Sequence, residues 1–443
     1  MKIRKNKKTL SAFQIIIIGF IMVILFGTVL LMLPFASQSG KATSFFDALF
    51  TATSAVCVTG LVVKDTATYW SYFGQGIILL LIQIGGMGVV TVGASLMLLS
   101  GRKISFMQRN IIQEAVSAQQ VGGIVRLIRF IIIGTLGIEL LGACAMMPVF
   151  CKDFGVKGIW MSFFHSISAF CNAGFDLMGI NAKFSSLTSY VYHPLINIVI
   201  MLLIVIGGIG FLTWEDVVVH RYHLKKYRVQ TKLILLVTAV LIFVPALFFF
   251  CFEMKDLPIS KRIWTALFQA ITPRTAGFNT IDYSLLSEAG VGITIFLMLI
   301  GGAPGSTAGG MKTTTVAVLF ANVKSIFSQK KETEILGRSI EDETIKKAAT
   351  ILLMYVTLFF GGGVMMSVIE GLPMMTCLFE TASAVGTVGL TLGITPGLGI
   401  VSRIMLVFLM FFGRVGGLTL IYATVSSVNS NLAKLPKEKV MVG

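Results

Sequence analysis

The chain is expected to be an all-α integral membrane protein built from four parallel copies of one unit, and two observations carry that expectation. The first is composition. Of 443 residues, 55% are hydrophobic and only 13% charged, about half the ~25% charge of an aqueous domain. The second is a short pattern that recurs four times. It reads Ala-Val-Cys-Val-Thr-Gly-Leu at 55–61, Ala-Phe-Cys-Asn-Ala-Gly-Phe at 169–175, Thr-Pro-Arg-Thr-Ala-Gly-Phe at 272–278 and Ala-Val-Gly-Thr-Val-Gly-Leu at 384–390. Aligned on Gly60, Gly174, Gly277 and Gly389, the copies lie 114, 103 and 112 residues apart. Phe50, Phe164, Leu267 or Phe379 stands ten places before each glycine.

The spans come first. Apolar runs near 12–33, 74–99, 124–150, 192–213, 231–252, 290–327, 346–369 and 399–427 each reach the ~20 residues needed to cross hydrocarbon. That gives eight transmembrane helices. The first run follows the basic stretch Met1–Lys8, as a signal peptide would. It is too long for an h-region and lacks a small-x-small cleavage site, so it reads as a retained helix. The six cysteines are scattered with no zinc or disulfide spacing, and read as small core-like thiols.

Between the two spans of each copy lies a shorter helix. Pro34 ends the first span, and Ser44 with Asp47 three later resembles a capping box opening a helix through about Val56. Comparable stretches are 159–170, 259–272 and 373–385, the last opened by Pro373 as a first-turn proline. These are too short to cross and too apolar for free loops, so they read as re-entrant helices. The organisation is therefore a basic N-terminus 1–11, repeat 1 at 12–99, repeat 2 at 124–213, repeat 3 at 231–327, repeat 4 at 346–428 and a tail 429–443.

Charge sets the orientation. If every unit crosses twice, segments 1–11, 100–130, 214–232, 322–347 and 428–443 share one side, with 24 Lys/Arg and 9 Asp/Glu, while the other side holds 10 of each. By the positive-inside rule both termini are cytoplasmic. A membrane therefore accounts for the net charge of +16, and no nucleic-acid partner is needed.

The glycine loops follow the C-terminal ends of the short helices, whose partial negative charge suits a cation. Irregular backbone at membrane depth is tolerated only inside protein or beside a watery cavity, and glycine lets successive carbonyls face one way. Four such loops in parallel repeats imply a pseudo-fourfold central pore with four re-entrant pore helices. Its wall would be Val58, Thr59, Gly60, Asn172, Ala173, Gly174, Thr275, Ala276, Gly277, Thr387, Val388 and Gly389. Packing punctuation explains one such glycine; it does not explain four in register.

With these residues in view, the chain resembles the Trk/Ktr/HKT superfamily of potassium transport proteins, most closely its Ktr branch. Gly301-Gly-Ala-Pro-Gly-Ser-Thr-Ala-Gly-Gly310, followed by Met311 and Lys312, resembles the family's intramembrane gating loop. Phe412-Gly-Arg-Val-Gly-Gly-Leu418 resembles its fourth-repeat helix with a pore-facing arginine. The resemblance implies potassium uptake at the plasma membrane by a homodimer, with no cofactor in this chain; sodium is a candidate activator on which the sequence is silent. It also implies a cytoplasmic nucleotide-binding regulatory ring, for which 102–129, 221–232 and 324–347 would be the docking face. In similar proteins a serine in place of the first filter glycine accompanies sodium preference, so Gly60 points to potassium. Cys57 and Cys171 depart from the hydroxyl or amide side chains familiar at their positions.

The gate is expected at Gly301, Gly302, Pro304, Gly305, Ser306, Thr307, Gly309 and Gly310, since five glycines and a proline cannot stay helical. A Walker-A reading fails because Met311 stands where that motif needs Lys. Glu139, Lys312 and Arg414 are the ionisable residues read within spans, and each is a functional candidate by its cost there. Arg414 would bond loop carbonyls, Lys312 would do likewise or snorkel, and Glu139 has no nameable partner. Gly85-Gly86-Met-Gly88, Gly207-Gly208-Ile-Gly210 and Gly413…Gly416-Gly417 read as sites of close helix approach. A cation-coupled secondary transporter is the alternative. An intramembrane enzyme around His165 is third, because Ser162, Ser166 and Ser168 read as hydroxyls satisfying backbone.

Overall fold

A computed structural model describes residues 11–100, 104–116 and 122–417, with Thr419, Ala423 and Glu438. The expected basic N-terminus, apart from Ser11, and the tail 429–443, apart from Glu438, lie outside the described residues.

Four helices are long and apolar enough to cross a membrane: α1 Ala12–Met32, α7 Ile124–Phe154, α11 Val229–Phe248 with the π-helical turn Phe249–Glu253, and α15 Asp342–Glu370. They fall on the first apolar run of each expected repeat. Local chemistry sets their ends. Ser11 and Gln14 form a reciprocal capping box on α1. Asp342 and Glu343 occupy the first turn of α15, where acid complements the helix dipole, and left-handed Gly371 closes it. Each long helix keeps an apolar face outward, as at Met22 and Phe26 of α1 or Leu353 and Val368 of α15.

The second runs depart from expectation. The runs 74–99 and 192–213 are not single straight helices. α4 Tyr72–Met87 meets α5 Val89–Leu99 at 95°, and α9 Pro194–Gly208 meets α10 Phe211–His220 at 97°. The turning residues Gly88 and Gly210 have φ of 87° and 91° with extended ψ, a region that glycine alone enters cheaply. Gly416 has the same conformation at the end of α17 Ile400–Val415. The run 290–327, by contrast, breaks where its glycines and Pro304 led us to expect, into α13 Glu288–Leu299 and α14 Thr313–Phe327. The glycine clusters are thus corrected: the last glycine of the first two is a hinge as well as part of a packing patch.

The short helices lie where the sequence puts them: α2 Phe45–Val56, α8 Lys157–Phe170, α12 Ile259–Ile271 and α16 Met374–Val385. Ser44 caps α2 through Asp47 N at 3.2 Å. Asp47 does not complete the box. Its carboxylate pairs with Lys64 at 3.6 Å and Arg403 at 2.8 Å, the latter at the start of α17. Pro373 is the N-cap of α16, one position before the first turn.

Packing follows the chain and then closes on itself. Within copies, α2 lies against α1 and α4, α8 against α7 and α9, α12 against α11, and α16 against α15 and α17. Between copies, α4 packs on α8, α9 on α12, α13 on α16, and α17 back on α2. The short helices are therefore the buried centre; Ala52, Phe164, Ala270 and Phe379 are fully buried. Two smaller helices, α3 Thr66–Tyr69 and α6 Phe106–Ala115, lie in connections. An unanticipated hairpin pairs Glu334–Ile335 with Arg338–Ser339 before α15, and buries Ile335 against Val318 and Ala348.

Candidate functional site

Each glycine loop begins where a short helix ends, and all four share one backbone alternation. The residue two before the glycine has positive φ: Val58 56°, Asn172 58°, Thr275 66° and Thr387 52°. The glycines follow at 93°, 68°, 79° and 93°, and the residue between is not positive in any copy. Alternating hand turns successive carbonyls toward the same side. A non-glycine residue held there costs ~1–3 kcal/mol, and β-branched Val and Thr are the least suited. Four repetitions of that cost mark a conformation the fold enforces.

Hydroxyls at the helix ends hold the loops. Ser54 Oγ accepts Gly60 N at 3.1 Å and Ser383 Oγ accepts Gly389 N at 3.0 Å. In copies two and three the hydroxyl donates instead, Ser168 Oγ to Phe175 O at 2.7 Å and Thr272 Oγ1 to Phe278 O. The N–H groups of Thr59, Ala173 and Val388 each reach the carbonyl five residues back at 2.8 Å. In copy three Ala276 N reaches four back instead, to Thr272 O at 3.0 Å, so the hydrogen-bonded turn that closes that loop is one residue tighter.

The glycines face one another. A Cβ on Gly60 would stand 2.6 Å from Ala173 O, and one on Gly174 2.8 Å from Ala276 O. Gly277 is as tightly opposed by Val388 O, and Gly389 by Thr59 O. Each glycine thus abuts the next copy's carbonyl, and the series closes in the order 1-2-3-4-1. Asn172 Nδ2 adds bonds at 3.5 Å to Arg274 O and Thr275 Oγ1 of the third loop. A cavity of about 120 Å³ is lined by all four glycines together with Asp65, Asp176, Asn279 and Thr391. Behind the loops, added methyls on Gly85, Gly207 and Gly413 would strike Val56 O, Phe170 O and Val385 O at the short-helix ends. Close approach is what those glycines permit.

The 301–310 segment is strapped beneath. Gly301 N bonds Met311 O at 2.7 Å, closing the loop's neck. Ala303 N and Thr307 N bond Gly208 O and Gly207 O at 2.9 and 3.2 Å, and Phe211 N returns to Gly305 O at 2.8 Å. Gly310 N reaches Gly413 O at 3.1 Å. Thr307 Oγ1 lies 3.0 Å from Phe170 O and 3.1 Å from Asn172 Oδ1, directly against the second glycine loop. Gly309 abuts the Thr387 side chain of the fourth, and Ser306 Oγ bonds Ala303 O at 2.6 Å. Pro304 lies in the helix-free stretch between α13 and α14, where Gly305 and Gly310 have φ of 63° and 66°. Lys312 Nζ folds onto the loop, 2.8 Å from Ala308 O and 3.4 Å from Gly309 O. The Arg414 guanidinium ties Thr307 O to Gly85 O and, at 3.1 Å, Gly86 O. A cavity of about 310 Å³ touches Gly305, Ser306, Ala308, Lys312 and Arg414.

Other polar residues acquire partners that the sequence did not name. Glu139 accepts Gln83 Nε2 at 3.1 Å, and Cys171 Sγ sits 3.8 Å from its other oxygen. The Cys171 thiol therefore points behind its loop. Arg274, buried in the third loop, reaches Thr238 Oγ1 at 3.3 Å and was visible in the third motif copy as an odd charged letter; Glu380, buried in α16, lies just before the fourth copy. Asp65 and Asp176 line the cavity shared by the four glycines. Burial pushes the half-buried Asp176 carboxyl up to about 6, against a bond from Met178 N and with the Asp65 charge adding to the rise. His165 Nδ1 lies 2.7 Å from Met161 O, and its Nε2 accepts Leu177 N at 3.3 Å. Ser162, Ser166 and Ser168 donate to backbone carbonyls. Among the described residues no group of three or more His, Cys, Asp or Glu is placed to hold a metal ion.

The sequence profile of the TrkH family, described as cation transport protein, matches residues 2–432. The chain belongs to the TrkH family. It is 40% identical to the potassium/sodium uptake protein NtpJ of Enterococcus hirae over 99% of both chains. It is 39% identical to the Ktr system potassium uptake protein B of Bacillus subtilis over 97% of this chain and 96% of that one. The crystal structure of the potassium transporter TrkH from Vibrio parahaemolyticus superposes with a TM-score of 0.71 at 19% identity, covering 96% of this chain and 87% of the other; that likeness concerns the fold. A family of cation transporters is not an enzyme family, and its membrane character agrees with the apolar helices found here.

Proposed function

We propose that this chain is the ion-conducting subunit of a potassium uptake system, with four M1–pore helix–M2 repeats around one pore. Potassium passes through the ring of glycine loops, its water shell replaced by the carbonyls of residues 58–60, 172–174, 275–277 and 387–389. The observation that carries this reading is the closed series of glycine-to-carbonyl approaches, joined to the shared alternation of φ. The loop 301–310 with Lys312 and Arg414 forms the gate: it crosses beneath the second and fourth loops, and its two cations raise the barrier while it is closed. Both termini are cytoplasmic, following the charge asymmetry. The relative named as part of a Ktr system supports a multi-component assembly. In it this chain pairs as a homodimer in the plasma membrane and meets a nucleotide-binding ring through its basic cytoplasmic segments.

The test is growth of a potassium-uptake-deficient strain at limiting potassium, with the chain and with Gly60→Ser. Rescue by the chain and a shift toward sodium in the variant are expected. Unchanged growth and unchanged cation preference would remove the pore assignment. Cation-coupled symport is the second reading, favoured by Glu139, a carboxylate buried in α7 whose side-chain partners are Gln83 and Cys171. Uptake driven by a proton or sodium gradient and lost in Glu139→Gln would establish it.

A further inference from the structure

Each short helix carries a polar side chain three residues before the hydroxyl that holds its loop, nine before the glycine in copies one, two and four and eight before it in copy three. These are Thr51, His165, Gln269 and Glu380. In copies two and three the side chain reaches forward to the strand leaving the loop, three residues past the glycine. His165 Nε2 takes Leu177 N at 3.3 Å, and Gln269 Nε2 donates to Thr280 Oγ1 at 3.0 Å. In copy four the fully buried Glu380 carboxylate accepts the Thr395 hydroxyl, which lies 3.1 Å from Thr391 Oγ1. Thr391 and Pro396 line the cavity shared by the four glycines. Copy one differs: Thr51 Oγ1 turns back to Asp47 O at 2.9 Å, inside its own helix.

The fourth tie differs in kind from the other two. The tie runs through two hydroxyls to the strand beyond the glycine, and in a fully buried site no water can replace a lost partner. It spans from the short helix to residues two and six past Gly389, so it fixes the exit strand at two points. The loop it steadies is also the one whose glycine is pressed against the first copy, at Thr59 O.

We propose that Glu380, acting through Thr395 and Thr391, is a positioning residue that determines specificity by fixing the outer width of the fourth glycine loop. It does not touch the ion. This inference rests on the pore reading above.

The experiment uses the full chain in liposomes, with potassium and sodium flux measured for Glu380→Leu, Glu380→Gln, Thr395→Val and the double variant Glu380→Leu/Thr395→Val. Each of Glu380→Leu and Thr395→Val is expected to lower the potassium-to-sodium ratio about tenfold, as the loss of one buried hydrogen bond allows. The double variant should be no worse than either single one, because both remove one tie. Glu380→Gln keeps an acceptor for the hydroxyl and should recover most of the ratio. Additive losses, or a Gln variant as poor as Leu, overturns the proposal, as does an unchanged ratio in well-folded protein. If the core variants are not recovered, Thr391→Val and Thr391→Ser at the half-buried cavity wall read the same strand: Val should lower the ratio and Ser should not, and equal behaviour rejects the tie. Wild-type chain that conducts, with Gly60→Ser altering preference while the Glu380 series does nothing, overturns this inference and leaves the pore reading standing. No effect of Gly60→Ser removes the pore reading itself.

Discussion

Glycine loops one and four hold their shape differently from loops two and three. In the first pair a serine oxygen takes the glycine N–H, and the glycines sit at φ 93°. In the second pair the hydroxyl donates to the carbonyl after the glycine, and φ falls to 68° and 79°. Loop three goes furthest, its closing hydrogen-bonded turn one residue tighter, with Arg274 where copies one and two have cysteine. Even so, the positive φ two places before the glycine survives in all four. What the repeats preserve is the direction of the carbonyls. The scaffold behind them is free to vary.

That comparison can be pressed by substitution, and the largest effects belong to the glycines. Gly389→Ala would drive a methyl into Thr59 O and hold alanine at φ 93°, a conformational cost of ~1–3 kcal/mol before any overlap. Potassium uptake should be abolished. Gly174→Ala, with a 2.8 Å approach at φ 68°, should retain some uptake, and equal loss in both would erase the distinction between the pairs. Next comes the gate. Deleting 304–309 should raise leak flux well above wild type, and Arg414→Gln should raise it less, because Thr307 keeps its bonds to Phe170 O and Asn172. A tighter pathway in either variant, read by isotope uptake into liposomes, rejects the gate.

The serines divide the pairs on a smaller scale. Ser54→Ala strands the buried Gly60 N–H, at ~1–3 kcal/mol. Ser168→Ala frees a carbonyl, and unpaired acceptors are better tolerated than unpaired donors. Thermal unfolding of the purified protein should therefore rank Ser54→Ala below Ser168→Ala, and the reverse order would undo the assignment of donor and acceptor. The smallest effect is at the mouth. Asp176 carries its charge above a pKa of about 6 and is neutral below it. Falling external pH should therefore reduce cation uptake across that range, and Asp176→Asn should flatten the profile. A profile unchanged by the variant assigns the pH dependence elsewhere.

Much of the architecture is decided by local sequence. The long helices read directly from unbroken apolar runs, and the short ones from their length and, in copies one and four, their Ser44 and Pro373 starts. The loops read from four glycines in register, because glycine's freedom is a property of the residue itself. Tertiary structure alone decided the rest. Whether Gly88 and Gly210 pack or bend depends on what lies across from them: Gly88 carries the turn at the foot of α4, and Gly210 meets Pro304 O of a loop nearly a hundred residues away. Glu139 finds Gln83, Arg414 finds Thr307 and Gly85, and Arg403 finds Asp47 only when the fourth copy returns to the first. Periodicity and composition report a residue's own preferences within a few turns of chain. Partnerships across hundreds of residues are set by how helices close around a shared centre, and no local pattern encodes them.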